Sequence, residues 1–218
     1  MATSGTQTFK LDASDLIEEA YERCGLELRS GYDARTARRS LNILIADWSN
    51  RGVNLWTVTQ VTQALVDGTS SYTLDAHTID ILDGVIRRSS VDYNLERISR
   101  STYQSIPNKA TEARPTQFWL DRQSTPVLHL YPTPENSTDT FIYYRMERIE
   151  DFNTLTNDAD IPSRFIPPLV SGLAYYLAVK KAPERAQALK MIYEEEMARA
   201  ETEDREKVSL RLVPSRSG

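Results

Sequence analysis

Two amphipathic stretches open the chain. Between 12 and 24, Ala13, Leu16, Ile17, Ala20 and Cys24 recur at the spacing of one helical face, with Asp12 placed to cap the start and Gly25 to end it. Between 33 and 51 the apolar stripe is Ala37, Leu41, Leu44, Ile45 and Trp48, expected to be capped by Asp33 and closed by Gly52. The pair predicts an antiparallel helical hairpin. After Trp56 the pattern turns extended. Thr57, Val58, Thr59 and Val61 are β-formers, Asp67 and Gly68 supply a turn, and Tyr72, Thr73 and Leu74 begin a return strand, together a predicted β-hairpin. Further strands are expected over 81–88, 93–98, 116–122, 127–131 and 140–146, between clusters of Ser, Asn, Asp and Pro, with a short helix over 99–106. Pro132 and Pro134 stop the strand before them, because proline has no amide to donate to a ladder.

The helical pattern returns after 162. Pro167 and Pro168 sit near a start, and Leu169, Val170, Leu173, Ala174, Tyr176, Leu177 and Ala178 are apolar nearly all round, the mark of a buried central helix. Pro183 opens another helix whose stripe is Ala186, Leu189, Tyr193, Met197 and Ala200, leaving Glu194, Glu195 and Glu196 as expected solvated surface. In the last segment Val208, Leu210 and Leu212 alternate with Ser209 and Arg211 until Pro214, a lone strand that must find an edge to pair with. The expected class is α+β. Helices from both ends, 1–53 and 162–203, form one bundle; an antiparallel β-sandwich or barrel is inserted at 54–161; an extended docking tail covers 204–218.

Charge narrows the partners. A net charge of -5 argues against a general nucleic-acid binder, whose affinity rests on Lys and Arg neutralising phosphates. The basic residues are 20 Arg against 6 Lys, and the planar guanidinium is the cation suited to interface ion pairs. No stretch approaches the roughly 18 apolar residues of a membrane span, and the first ten residues lack the layout of a secretory signal, so no membrane partner is expected. Arg35, Arg38, Arg39 and Asn42 share one outward helical face at i, i+3, i+4, i+7. That stripe is either a solvated face or a contact for an acidic or phosphate-bearing partner, and a subunit contact suits it better than DNA.

No chemistry is nominated. The single cysteine, Cys24, lies in an apolar stripe and reads as a small buried hydrophobe. His129 alternates with Leu128 and Leu130 along a strand, a plain sheet residue; His77, among Asp75, Asp80 and Asp83, lacks the spacing of a zinc or calcium site. The acidic run Asn157, Asp158, Ala159, Asp160 reads as a loop, and neither a G-x-S-x-G turn nor a glycine-rich phosphate loop occurs. No catalytic, metal-binding or cofactor-binding residue is therefore expected, and the chain reads as a non-enzyme.

The order Tyr32, Arg35, Arg38, Ser40, Leu41, Asn42, Leu44, Ile45, Trp48, Arg51, Gly52, Leu55, Trp56 resembles the head-to-tail adaptors of short-tailed bacteriophages, the tail tubular A-like or head-completion proteins. Gly68, Tyr72, Leu74, Pro115, Leu130, Pro132, Pro134 and Pro167 continue the same layout. The resemblance implies a virion neck protein, assembled in the host cytoplasm. It implies a homo-oligomeric ring, usually twelve-fold, that joins a portal protein to the tail nozzle or fibres while genomic DNA passes through. It would assign docking to the tail through Val208, Leu210, Arg211, Leu212, Pro214 and Arg216, with Arg35, Arg38 and Arg39 as a subunit or partner contact. The alternative is a DNA-contacting module that uses the same Arg face.

Overall fold

The computed structural model describes residues 3–6, 9–52 and 55–204. In chain order come helices α1 (Ala13–Arg23) and α2 (Gly31–Arg51), then strands β1 (Val58–Ala64), β2 (Ser71–Thr73), β3 (Thr78–Arg88), β4 (Val91–Asn94) and β5 (Glu96–Arg97). A short helix α3 (Arg100–Ser105) precedes β6 (Gln117–Asp121), β7 (Val127–Tyr131) and β8 (Thr140–Glu147). Helices α4 (Ile166–Lys181) and α5 (Pro183–Glu203) follow. The class is α+β, with terminal helices flanking the strands. The chain forms two compact units, one from residues within 1–53 and 150–204, the other from residues within 54–149.

In the helical unit the caps explain the element ends. Asp12 accepts the Asp15 amide at 2.9 Å, and Gly25 ends α1 at a φ of 67°, a left-handed turn that glycine adopts without steric cost. The second helix begins earlier than expected. Ser30, not Asp33, is its cap: the Ser30 hydroxyl accepts the Asp33 amide at 3.3 Å, leaving Asp33 in the first turn, where a carboxylate meets the positive end of the helix dipole. Gly52 closes α2 with a φ of 74°.

Helix α4 is the hub, packed against α1, α2 and α5. It is apolar on most sides because neighbours cover most of its sides, and Pro167 and Pro168 sit in its first turn, where the missing amides have no intrahelical partner to lose. Gly172 lets the helices close up: a Cβ there would lie 2.9 Å from both Leu44 Cδ2 and Tyr193 Cε2. Beneath it, Trp48 Nε1 donates to the Tyr193 hydroxyl at 2.9 Å, and the Cys24 thiol donates to the Ala174 carbonyl at 3.1 Å. Cys24 is thus a buried, hydrogen-bonded core residue. The glutamate run is not uniformly solvated. Glu194 and Glu195 are exposed and Glu196 is half-buried; Glu194 pairs with Arg51 at 3.2 Å and Glu196 lies 3.9 Å from Arg23, so two of the three also reach the first two helices. At its end, buried Asp204 caps α5 and pairs with Arg164.

The second unit is a sandwich of two four-stranded sheets, ordered β1-β8-β3-β4 and β2-β7-β6-β5. Its core brings Phe118 and Leu128 of one sheet against Ile81, Ile86 and Phe141 of the other, with the Phe118 and Phe141 rings 6.1 Å apart. Burying one such side chain is worth about 1.5–3 kcal/mol, so this cluster is the main source of the unit's stability. All strand pairs are antiparallel except β5 with β6.

Two expectations about strands need correction. The predicted hairpin around Asp67–Gly68 does not form. β1 pairs with β8 and β2 pairs with β7, in different sheets, because the intervening backbone bonds outward: the Leu65 amide donates to the Asp139 carbonyl at 3.1 Å and the Gly68 amide to Pro134 at 2.9 Å. Likewise the strand expected over 93–98 is two. The Leu95 amide donates to Gly84 in one sheet and the Glu96 amide to Thr116 in the other, so the chain changes sheets there.

The acidic loop expected at the end of the β region packs with the helices. Its carbonyls answer the first-turn amides of α1, which have no intrahelical acceptor: Ala13 donates to Asn157 and Ser14 to Leu155, each at 2.9 Å, and Asp12 bridges Asp158. The β unit ends at Ile149.

Candidate partner-binding surface

The outward face of α2 carries the basic stripe, and the structure separates its members by what they do. Asn42 is structural. Its carboxamide donates to the Phe152 carbonyl at 3.1 Å and accepts the Phe152 amide at 3.0 Å, a two-point clamp on the chain leaving the β unit. Arg38, half-buried, donates to the Asn153 carbonyl. Arg35 and Arg39 are exposed and form no ion pair among the described residues. The arginines border a cleft of about 600 Å³ that is also lined by Ile43, Ala46, Phe152 and Asp151. Such a surface offers fixed positive charge beside apolar area, the makings of a protein contact.

A second surface was not singled out from the pattern of the chain. On α1, Asp15, Glu18 and Glu22 share an exposed face, beside a cleft of about 480 Å³ lined with Phe9, Ile166 and Pro167. Their i, i+3, i+7 spacing was legible in the sequence, but the apolar flank comes from distant segments and was not. None of the three forms an ion pair among the described residues, whereas Glu19, which also lines the cleft, pairs with Arg23 at 2.9 Å.

Elsewhere the polar groups serve the fold. The His129 ring stacks on Trp119 at 4.7 Å and lies 5.3 Å from Tyr103, with Nδ1 3.0 Å from the Ser71 hydroxyl. Burial there pushes its pKa down from the ordinary histidine value, with Asp121 opposing. His77 donates its amide to Asp75 and accepts the Arg148 amide through its carbonyl. Burial raises the Cys24 thiol and pushes the Tyr193 hydroxyl up to about 12, which keeps both neutral. Among the described residues no cluster of His, Cys, Asp and Glu is arranged to hold a metal ion, and no helix is long and apolar enough to cross a membrane. The tail residues Val208, Leu210, Arg211, Leu212, Pro214 and Arg216 lie outside the described residues.

The model of the SU10 adaptor protein family matches residues 11–215. The chain belongs to the SU10 adaptor protein family. No curated protein matches it. A member of this family is a phage adaptor, a structural kind of protein, and a virion component that works by contact with other head and tail proteins. For an SU10 adaptor protein, what counts functionally is surface, and the clefts on α1 and α2 are two described surfaces in the helical unit that combine exposed charge with apolar area.

Proposed function

We propose that this SU10 adaptor protein joins the phage head to the tail: subunits form a ring, twelve-fold by resemblance to tail tubular A-like proteins, that docks on the portal and presents its other rim to the tail nozzle or fibres. The observation that carries this reading is the family match, which runs through both units and on to residue 215. The helical unit would meet the portal and neighbouring subunits, and the tail beyond Asp204 would anchor through Val208, Leu210, Arg211, Leu212, Pro214 and Arg216. A net charge of -5 suits a channel through which DNA must pass, since excess Lys and Arg would hold the phosphate backbone.

The test is to mix the chain with a phage portal protein and measure particle mass and symmetry. A closed ring on the portal is expected. Truncation after Asp204, which keeps the Arg164 pair and the α5 cap, should abolish docking while the helical unit keeps its thermal midpoint. A mixture that stays as separate portal and monomer would overturn the adaptor reading. Docking undiminished by truncation would overturn the tail's role.

A further inference from the structure

The outward faces of α1 and α2 carry opposite charges at one spacing. Glu18 and Glu22 are exposed four residues apart on α1; Arg35 and Arg39 are exposed four residues apart on α2. Side chains so spaced on a helix stand about 5–6 Å apart at Cβ, so two arginines on one helix can each face one glutamate on another. Neither pair is consumed within the chain, since none of the four forms an ion pair among the described residues. Both pairs border exposed apolar surface: Ile43, 51% exposed, follows Arg39 one turn along α2, and Phe9, 73% exposed, lines the α1 cleft with Ile166 and Pro167. The two clefts share no lining residue, so one molecule can engage a different neighbour through each.

We infer that the Arg35 and Arg39 cleft on α2 receives the Glu18 and Glu22 face of α1 from a second copy of this chain. Joining unlike patches makes a head-to-tail contact, which repeats from copy to copy and closes into a ring when the rotation allows. The inference rests on the ring-forming reading above and names the contact between neighbouring subunits. A second copy fits this cleft better than DNA does. The matching spacing, the unpaired glutamates and the apolar flank on both sides are all used by a copy, whereas a duplex would use the arginines alone and would meet a net-negative chain.

Charge exchange tests it. Sedimentation velocity at about 0.05 M salt, where surface charges are little screened, should show association of the native chain that rises with concentration and weakens near 0.5 M salt. Arg35→Glu with Arg39→Glu, and separately Glu18→Lys with Glu22→Lys, should each weaken association on the order of tenfold or more, because attraction becomes repulsion. The fourfold variant, with both faces reversed, should regain it, as should an equimolar mixture of the two double variants. Thermal midpoints within a few degrees of the native chain exclude misfolding, and the neutral Gln pairs at the same positions serve if a reversed variant fails to fold. A native chain that never associates, double variants that associate normally, or a fourfold variant that is not restored would each overturn the contact. Loss of duplex-DNA retention in the Arg double variant with self-association unchanged would assign the arginines to DNA and likewise overturn it. Ring formation on the portal that survives in both double variants would refute the contact and leave the adaptor reading standing.

Discussion

Asn42 illustrates how much one side chain can hold. Its carboxamide satisfies both backbone groups of Phe152, whose ring is buried, and it lies beside Arg38, which holds the next residue. Asn42→Ala leaves a buried amide and carbonyl unpaired, a cost of about 1–3 kcal/mol. Asn42→Asp keeps the acceptor but turns a second oxygen toward the Phe152 carbonyl, and is expected to fall at the upper end of that range. Urea unfolding of the two variants checks this, and a loss below about 0.5 kcal/mol in both would remove the clamp from the account. His129 makes a pH prediction. Burial lowers its folded-state pKa below the unfolded value near 6.5, so the folded state prefers the neutral ring. Its contribution is intact above about pH 6.5 and is lost as the pH falls toward the folded value, because the unfolded chain takes up the proton first. Asp75, drawn down chiefly by the His77 amide, and Asp33, drawn down chiefly by Lys181 and then Ser30, lose their contributions only further down, below about pH 4. His129→Gln should therefore flatten the stability profile as the pH falls below about 6.5 and leave the steeper acid limb in place. A profile unchanged by the substitution would show that the ring is as well solvated folded as unfolded.

At the scale of elements, what the sequence made legible and what it hid divide along one line: local signals were readable, pairing partners were not. Asp12, Gly25 and Gly52 mark helix ends by their own chemistry, and the buried stripes of α1 and α2 follow from spacing alone. The Ser30 cap was missed because Asp33 is an equally good capping residue, and only the Asp33 amide, bonded to Ser30, decides between them. The hairpin around Gly68 failed for a similar reason. Gly68 adopts the positive φ a turn needs, but its amide bonds Pro134, far along the chain, and no local pattern reports that. Leu95 sends the chain from one sheet to the other in a single residue, and nothing in the local pattern from Tyr93 to Ile98 reports it. Gly84, which attracted no notice as sequence, marks an irregularity in β3 opposite β8, where a Cβ would stand 2.3 Å from Phe141 Cε2 and 3.3 Å from Tyr143 Cβ. The Phe141 ring has little freedom to yield, since it stacks on Tyr143 and meets Phe118 across the core. Gly84→Ala would ordinarily favour a strand, yet overpacking costs about 1–3 kcal/mol and should win. Denaturant unfolding should give a lower midpoint at unchanged slope, and a neutral or stabilised variant would mean that the sandwich relaxes more readily than its packing implies.

For the whole molecule, the candidate surfaces were half legible. The basic stripe on α2 and the acidic spacing on α1 are visible in one dimension, but their apolar flanks combine Phe9 with Ile166 and Ile43 with Phe152, which only folding brings together. The division into units sets a further expectation. Within 54–149 each strand pairs with another strand of the same segment, and the apolar cluster from Leu65 to Tyr143 draws only on residues of that segment. A segment that closes its own hydrogen bonds and its own core has what a domain needs to fold alone. Residues 54–149, produced in isolation, should unfold in one cooperative transition with a stability of about 5–10 kcal/mol, the ordinary range for a domain of this size. Trp119, stacked on His129, reports the transition by fluorescence, and the flattening of the acid profile by His129→Gln should persist in the isolated segment because Tyr103, Trp119 and Ser71 all lie within it. A segment with dispersed amide resonances and a steep urea transition satisfies the expectation. One that unfolds gradually, or gains structure only when the helices are supplied, would mean that the sandwich borrows its stability from the rest of the adaptor, and the two units could not then be engineered or tested apart.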